Sequence, residues 1–146
     1  MIEAYFDNLL AGTPFRGLII QGGAGYCAYD GVPLDHWMAG MDELVLRVHG
    51  SITFQGAGDG LYRPEGWYFW GWDYQHWGDQ KVLDPALLDL LPPEFRERMV
   101  SANSKGKKWT LPEIQQDLID AAVELHVLVQ EHERAACEVL AVPRLG

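Results

Sequence analysis

Basic side chains, cysteines and long apolar runs are all scarce in this chain of 146 residues. Eleven Lys and Arg stand against twenty-one Asp and Glu, a formal net charge of −10. Such a surface repels nucleic-acid phosphates, so direct DNA or RNA binding through a basic patch is not expected. The one basic cluster, Lys105, Lys107 and Lys108, reads as a polar, mobile, solvated loop. Cys27 and Cys137 lie far apart and form no CxxC pair, which argues against a disulfide scaffold and for a reducing cytoplasm. Both are expected to be buried free thiols. No apolar run approaches a membrane span, and the first residues lack the basic and apolar regions of a signal peptide. A cytoplasmic protein without a membrane segment is therefore expected. P-loop, nucleophile-elbow, HxH and HExxH patterns are absent as well.

Tryptophan, by contrast, is concentrated. Gly66–Asp79 reads Gly-Trp-Tyr-Phe-Trp-Gly-Trp-Asp-Tyr-Gln-His-Trp-Gly-Asp and holds four of the six tryptophans. Trp67 to Trp72 predicts a strand, with Tyr68, Trp70 and Trp72 on one face and Trp67 and Phe69 on the other. One aromatic face is expected to pack in the core. A second raises the alternative that Trp70 and Trp72 stack on a planar ligand. The segment ends in Asp73, His76 and Asp79, and His49 closes a neighbouring predicted strand. These four are the candidate site, either as a divalent-metal or acid/base centre or as polar groups that cap the strand and anchor its turn. The glycines at 50, 56, 58 and 60 read as turns and not as a dinucleotide loop.

The remaining patterns predict an α+β protein with a single domain over residues 1–146. A mainly antiparallel sheet spans about residues 15–74 and packs against a long C-terminal helix, about 111–139, with short additional helices. Residues 2–10 read as a short amphipathic helix. Residues 15–21 and 24–29 read as strands around Gly22-Gly23, and 43–49 as a branched-residue strand continued or followed by 51–55. Asp84 is the expected N-cap of a helix that starts at Pro85, and a shorter helix follows over 93–100. Thr110-Leu-Pro-Glu113 is a capping box, after which Ile114, Leu118, Ala121, Leu125 and Leu128 mark one buried face.

Three blocks resemble a family of small phage, prophage and mobile-element proteins. They are Gly25-Tyr26 through Val32-Pro33, Val48-His-Gly-Ser-Ile-Thr-Phe54, and Tyr68-Phe-Trp-Gly-Trp-Asp-Tyr-Gln-His-Trp-Gly-Asp79, with the helix after Trp109-Thr110 in the matching place. The resemblance spans about residues 25–130 and nominates His49, Gly71, Asp73, His76, Gly78 and Asp79. It departs at Ser51, where the family pattern has a second Gly, and at Tyr74-Gln75, where it has Cys-Ala, so no thiolate ligand is present. What the resemblance implies is a genomic setting: an accessory protein, with counter-defence as the associated role. Three functions stay open at this level. The first is binding of a host protein or a small polar, nucleotide-like ligand at His49, Asp73, His76, Asp79, Trp70 and Trp72. The second is metal-assisted hydrolysis by the His/Asp cluster, and the third an acidic protein–protein surface with a purely structural motif.

Overall fold

A computed structural model describes residues 1–42 and 44–141. Its centre is the hairpin of β2 (Arg16–Gln21) and β3 (Tyr26–Pro33), paired antiparallel from Gln21↔Tyr26 to Arg16↔Gly31. Gly22 turns the chain, its N–H reaching the Gly25 carbonyl at 2.7 Å. β3 then pairs with β5 (Trp67–Asp73), and β5 with β4 (Phe54–Ala57), both antiparallel. β1 (Phe6–Leu9) closes the other edge, giving the order β1-β2-β3-β5-β4.

The alternation along β5 sorts its aromatics as expected. Trp70 and Trp72 join Ile19, Ala28 and Val32 on the face covered by α3 (Leu111–Ala141). Each buried indole removes about 150–250 Å² from water, or about 4–6 kcal/mol before entropy is counted. Phe69 lies on the opposite face with Leu18, Ile20 and Tyr29, and Trp67 packs against them. That face has its own cover: the Arg63 guanidinium lies 3.9 Å over the Phe54 ring and 5.4 Å from that of Tyr29. Aromatics on both faces of one strand are thus explained by two cores.

α3 begins where its capping box predicts. The Thr110 N–H donates to Glu113 Oε1 at 3.1 Å, and Ile114, Leu118, Ala121 and Leu125 are buried. Leu128 is exposed instead, and Ala122 and Val129 complete the buried face. α1 (Pro85–Asp89) is capped by Asp84, whose side chain accepts from the Ala86 N–H. α2 (Pro93–Ser104) runs one turn past the 93–100 expected.

Four further expectations are corrected. Residues 6–9 form an edge strand and not a helix, because pairing with β2 satisfies their backbone while Arg16 grips Asp7 through two N–H bonds of 2.7 and 2.8 Å. Leu9, on the buried face of the supposed helix, is exposed. Residues 44–49 form no strand. Their alternation survives, with Leu46 buried and Leu44 and Val48 against the core, but the segment packs in the helix-side core and the Arg47 N–H is taken by Glu124 of α3. Residue 43 lies outside the described residues. The strand expected over 51–55 runs from Phe54 to Ala57, so Gly56 is within the sheet. Of the two thiols, Cys27 is half-buried and Cys137 is exposed.

Candidate functional site

After β5 the chain folds back on itself between His76 and Asp79. The Asp79 N–H bonds the His76 carbonyl at 3.0 Å, and the His76 N–H returns a 3.0 Å bond to Asp79 Oδ2. This closed turn swings the Asp79 carboxylate inward, where it is only 5% exposed. There it accepts from His49 Nε2 at 2.7 and 2.9 Å on its two oxygens, and from the Trp109 indole N–H at 2.8 Å. A carboxylate only accepts, so His49 Nε2 bears a proton and donates it. Burial pushes the Asp79 carboxyl up, but the bonds from Trp109, His49 and the His76 amide outweigh it and hold it below its ordinary value.

The His49 ring is set between aromatics. It stacks on Tyr74 at 5.3 Å and 7°, tilts over Trp109 at 4.7 Å, and meets the His76 ring edge-on at 5.4 Å. Tyr74 in turn donates to Asp117 of α3 at 2.6 Å and accepts from the Trp72 indole at 2.9 Å. Burial, reinforced by Asp117, raises the Tyr74 phenol far above its ordinary value, so it stays a donor. The His76 ring lies against Gly50, where a Cβ would collide with it. Gly50 is therefore required by close approach as well as by its φ of 67°. Ser51 follows with φ 62°, the single non-glycine residue of positive φ among the described residues, at the position where the phage-type pattern has glycine.

Of the sequence candidates, His49, Asp73, His76 and Asp79 do come together. Asp73 serves as a strand-end cap, accepting from Thr53 Oγ1 at 3.2 Å and the Gln75 N–H at 3.0 Å. His76 Nε2 lies 3.4 Å from Asp73 but makes no hydrogen bond among the described residues. Trp70 and Trp72 are not ligand surfaces. Both are fully buried, and their indole N–H groups are satisfied by the Met41 carbonyl and the Tyr74 hydroxyl. Two further histidines lie apart from this group: His36 stacks on Trp37, which itself stacks on His132 of α3. A divalent ion does not fit the donor set. Both Asp79 oxygens and His49 Nε2 are engaged with one another, and no three His, Cys, Asp or Glu side chains converge as ligands among the described residues.

What the cluster does hold is the base of an arm. Asp79 and Lys107 form an isolated parallel bridge: the Lys107 N–H bonds the Gly78 carbonyl and the Gln80 N–H bonds the Lys107 carbonyl, each at 2.8 Å. Gly106 permits that approach, since a Cβ there would meet the Asp79 and Gln80 backbone. One step outward, the Asn103 side chain pairs with both backbone groups of Lys81 at 2.7 and 2.8 Å. Lys81 Nζ donates to the His76 and Asp79 carbonyls. Between these closures α1 and α2 project as a helical pair, joined where Arg96 donates to the Leu88 and Leu91 carbonyls. Neither helix contains a buried residue. Trp77 stands fully exposed at the foot of the arm, on a cleft of about 660 Å³ that Leu83, Met99, Asn103 and Lys105 also line.

Trp109, Tyr74, Asn103 and Lys107 carry this arrangement, and sequence reading did not find them. Only Trp109 had a signal, an indole placed directly before a capping box. The fold and site define an α+β domain with an antiparallel sheet, one covering helix and a clamped helical arm. The chain matches no protein-family model, no curated protein and no solved structure. No helix among the described residues is long and apolar enough to cross a membrane.

Proposed function

We propose that this is a cytoplasmic accessory protein of phage or mobile-element type, with counter-defence as its setting, that acts by binding a host protein through the α1–α2 arm. The observation that carries this reading is the arm's surface. Leu87, Phe95, Met99 and Val100 are exposed on two helices that contain no buried residue, and Leu90, which ends α1, and Trp77 stand beside them. Apolar side chains concentrated on one projecting element mark an interaction site more often than they serve folding. Charge sharpens the choice of partner. Residues 80–106 hold four basic and four acidic side chains, while the rest of the chain holds seven basic and seventeen acidic. A partner that presents an uncharged apolar groove fits the arm, and a strongly acidic one is repelled by the remainder. On this reading the His49–Asp79–Trp109 cluster is a positioning device, which presents the arm at a fixed angle and lowers the entropy lost on binding.

The test is affinity purification from bacterial lysate, with bound proteins identified by mass spectrometry, for the wild type beside a Leu90→Asp, Phe95→Asp double variant. One stoichiometric host protein is expected with the wild type, and its recovery falls at least about 30-fold in the variant, the scale of a lost hot spot. Equal recovery by the variant, or no stoichiometric partner, overturns the reading. The cleft beside Trp77 favours a second reading, a planar anionic ligand of nucleotide type stacked on Trp77 next to Lys105. Quenching of Trp77 fluorescence by a nucleotide, abolished in Trp77→Ala, supports it, and unchanged fluorescence across the common nucleotides removes it.

A further inference from the structure

α3 has a second surface without a partner among the described residues, independent of the arm. The helix buries Ile114, Leu118, Ala121, Ala122, Leu125 and Val129 against the sheet, and directs an uncharged stripe the opposite way. Ile119, Val123 and Val127 form that stripe at 46%, 55% and 45% exposure. At 3.6 residues per turn all three lie within about 40° of the Val123 direction, and Gln116 and Gln130 within about 20°. No charged side chain enters the stripe between the two glutamines, although the helix is strongly acidic.

The order of these residues is a palindrome. From Gln116 the steps run three, four, four and three residues through Ile119, Val123 and Val127 to Gln130. An isologous two-fold interface requires this property, because residue i must meet residue j while j meets i. Steps of three and four follow from the helical period for any apolar stripe, so this spacing admits a two-fold pair and leaves the choice to the residues around it. We propose that a second copy of this chain occupies the stripe, with two α3 helices packed antiparallel about a two-fold axis at Val123. Val123 then meets Val123 of the partner subunit, Ile119 meets Val127 of the partner subunit, and Gln116 comes level with Gln130 of the partner subunit.

Two surrounding features agree with this occupant. Glu113 and Arg134 lie ten and eleven residues from Val123, about 15–16 Å to either side, so antiparallel pairing brings Arg134 of each copy level with Glu113 of the partner subunit, a carboxylate that already holds Lys107 at 2.9 Å and Thr110 in its own chain. Arg134 is the one basic side chain of α3. Beside the stripe, Leu9 of β1 with Ile119, Ala122 and Val123 lines a cavity of about 400 Å³, a recess for an aliphatic side chain of the second helix. Each chain carries a net charge of −10, so the two copies repel and the pair tightens as salt rises.

Sedimentation of the full chain between about 1 and 100 μM tests the assembly. The expected result is a dimer whose dissociation constant falls with added salt and rises at least 100-fold in Val123→Asp, with the circular dichroism spectrum retained because Val123 is half-exposed. A symmetric cross-link gives the positive control: with Cys27 and Cys137 changed to Ser, Val123→Cys forms an intermolecular disulfide on mild oxidation, and Gln115→Cys, off the axis, does not. A wild-type monomer at 100 μM overturns the proposal. So does a dimer unaffected by Val123→Asp, and so does one dissociated by Phe95→Asp, which would place the contact on the arm.

Discussion

Removing the Asp79 carboxylate is the most informative perturbation of the site. In Asp79→Ala the Trp109 indole N–H, the His76 backbone N–H and His49 Nε2 all lose their acceptor at once. Hydrogen bonds to a charged group contribute about 1.5–3 kcal/mol each, and removing one member of a buried charged network costs about 3–5 kcal/mol. Because Asp79 is 5% exposed, little solvent is present to replace it, and a loss of about 3–5 kcal/mol is expected. That is a large part of the about 5–15 kcal/mol that holds a typical domain together. The assay is urea unfolding followed by tryptophan fluorescence, with amide exchange read at residues 76–81 and 107–109. Exchange should rise there first, as the base of the arm opens, while the β2–β3 hairpin stays protected. The pH dependence has a definite sign. The folded carboxyl is held below its ordinary value of 3.8, so its contribution is complete above that pH and is lost as pH falls through the lowered folded value. The gap between wild type and variant should therefore be constant near neutrality and shrink under acid. A loss below about 1 kcal/mol, or unchanged exchange at the arm base, would refute the clamp.

Two other substitutions probe the same frame. Ser51→Gly relieves the positive φ of 62° and should raise stability by about 0.5–1 kcal/mol, read as an increase in Tm; an unchanged or lower Tm contradicts the strain. Asp30 is fully buried on β3 and neither oxygen has a partner among the described residues, so burial lifts its carboxyl well above the ordinary 3.8. Its sign is the reverse of Asp79: the folded state retains a proton that the unfolded chain releases. Stability is full below pH 3.8 and declines as pH rises toward the folded value, by about 1.4 kcal/mol per pH unit. Asp30→Asn removes that titration, so its advantage over wild type should grow as pH rises above 3.8, and parallel stability profiles would count against an unpaired acid.

Local signals were legible wherever local chemistry decides the outcome. The Gly22 turn, the alternation of β5, the Asp84 cap with Pro85, and the Thr110–Glu113 capping box each specify a backbone state within a few residues, and each stands in the structure. The errors share one cause. Phe6 and Leu10 are spaced for a helix, yet the same residues reach the core from an edge strand once β2 offers hydrogen bonds. Residues 44–49 alternate as a strand does, but their inward side chains are received by the helix-side core with no neighbouring strand to pair with. Periodicity reports which side chains turn inward, and only the available partner determines the backbone that delivers them.

The sequence by itself determined an acidic α+β chain, a two-faced aromatic strand, a long capped helix, and the group of His49, Asp73, His76 and Asp79. It also carried the palindrome on α3, since spacing along a helix is enough to place residues on one face. Tertiary structure alone decided what the group is for. Trp109 lies thirty residues beyond Asp79 and His49 thirty before it, and no local rule links them. Only folding brings one buried carboxylate against all three donors and closes residues 80–106 into an arm. The same packing took Trp70 and Trp72 out of contention as a ligand surface and left Trp77 in solvent. A strand's alternation sets the direction of a side chain, but what lies in that direction depends on the rest of the chain.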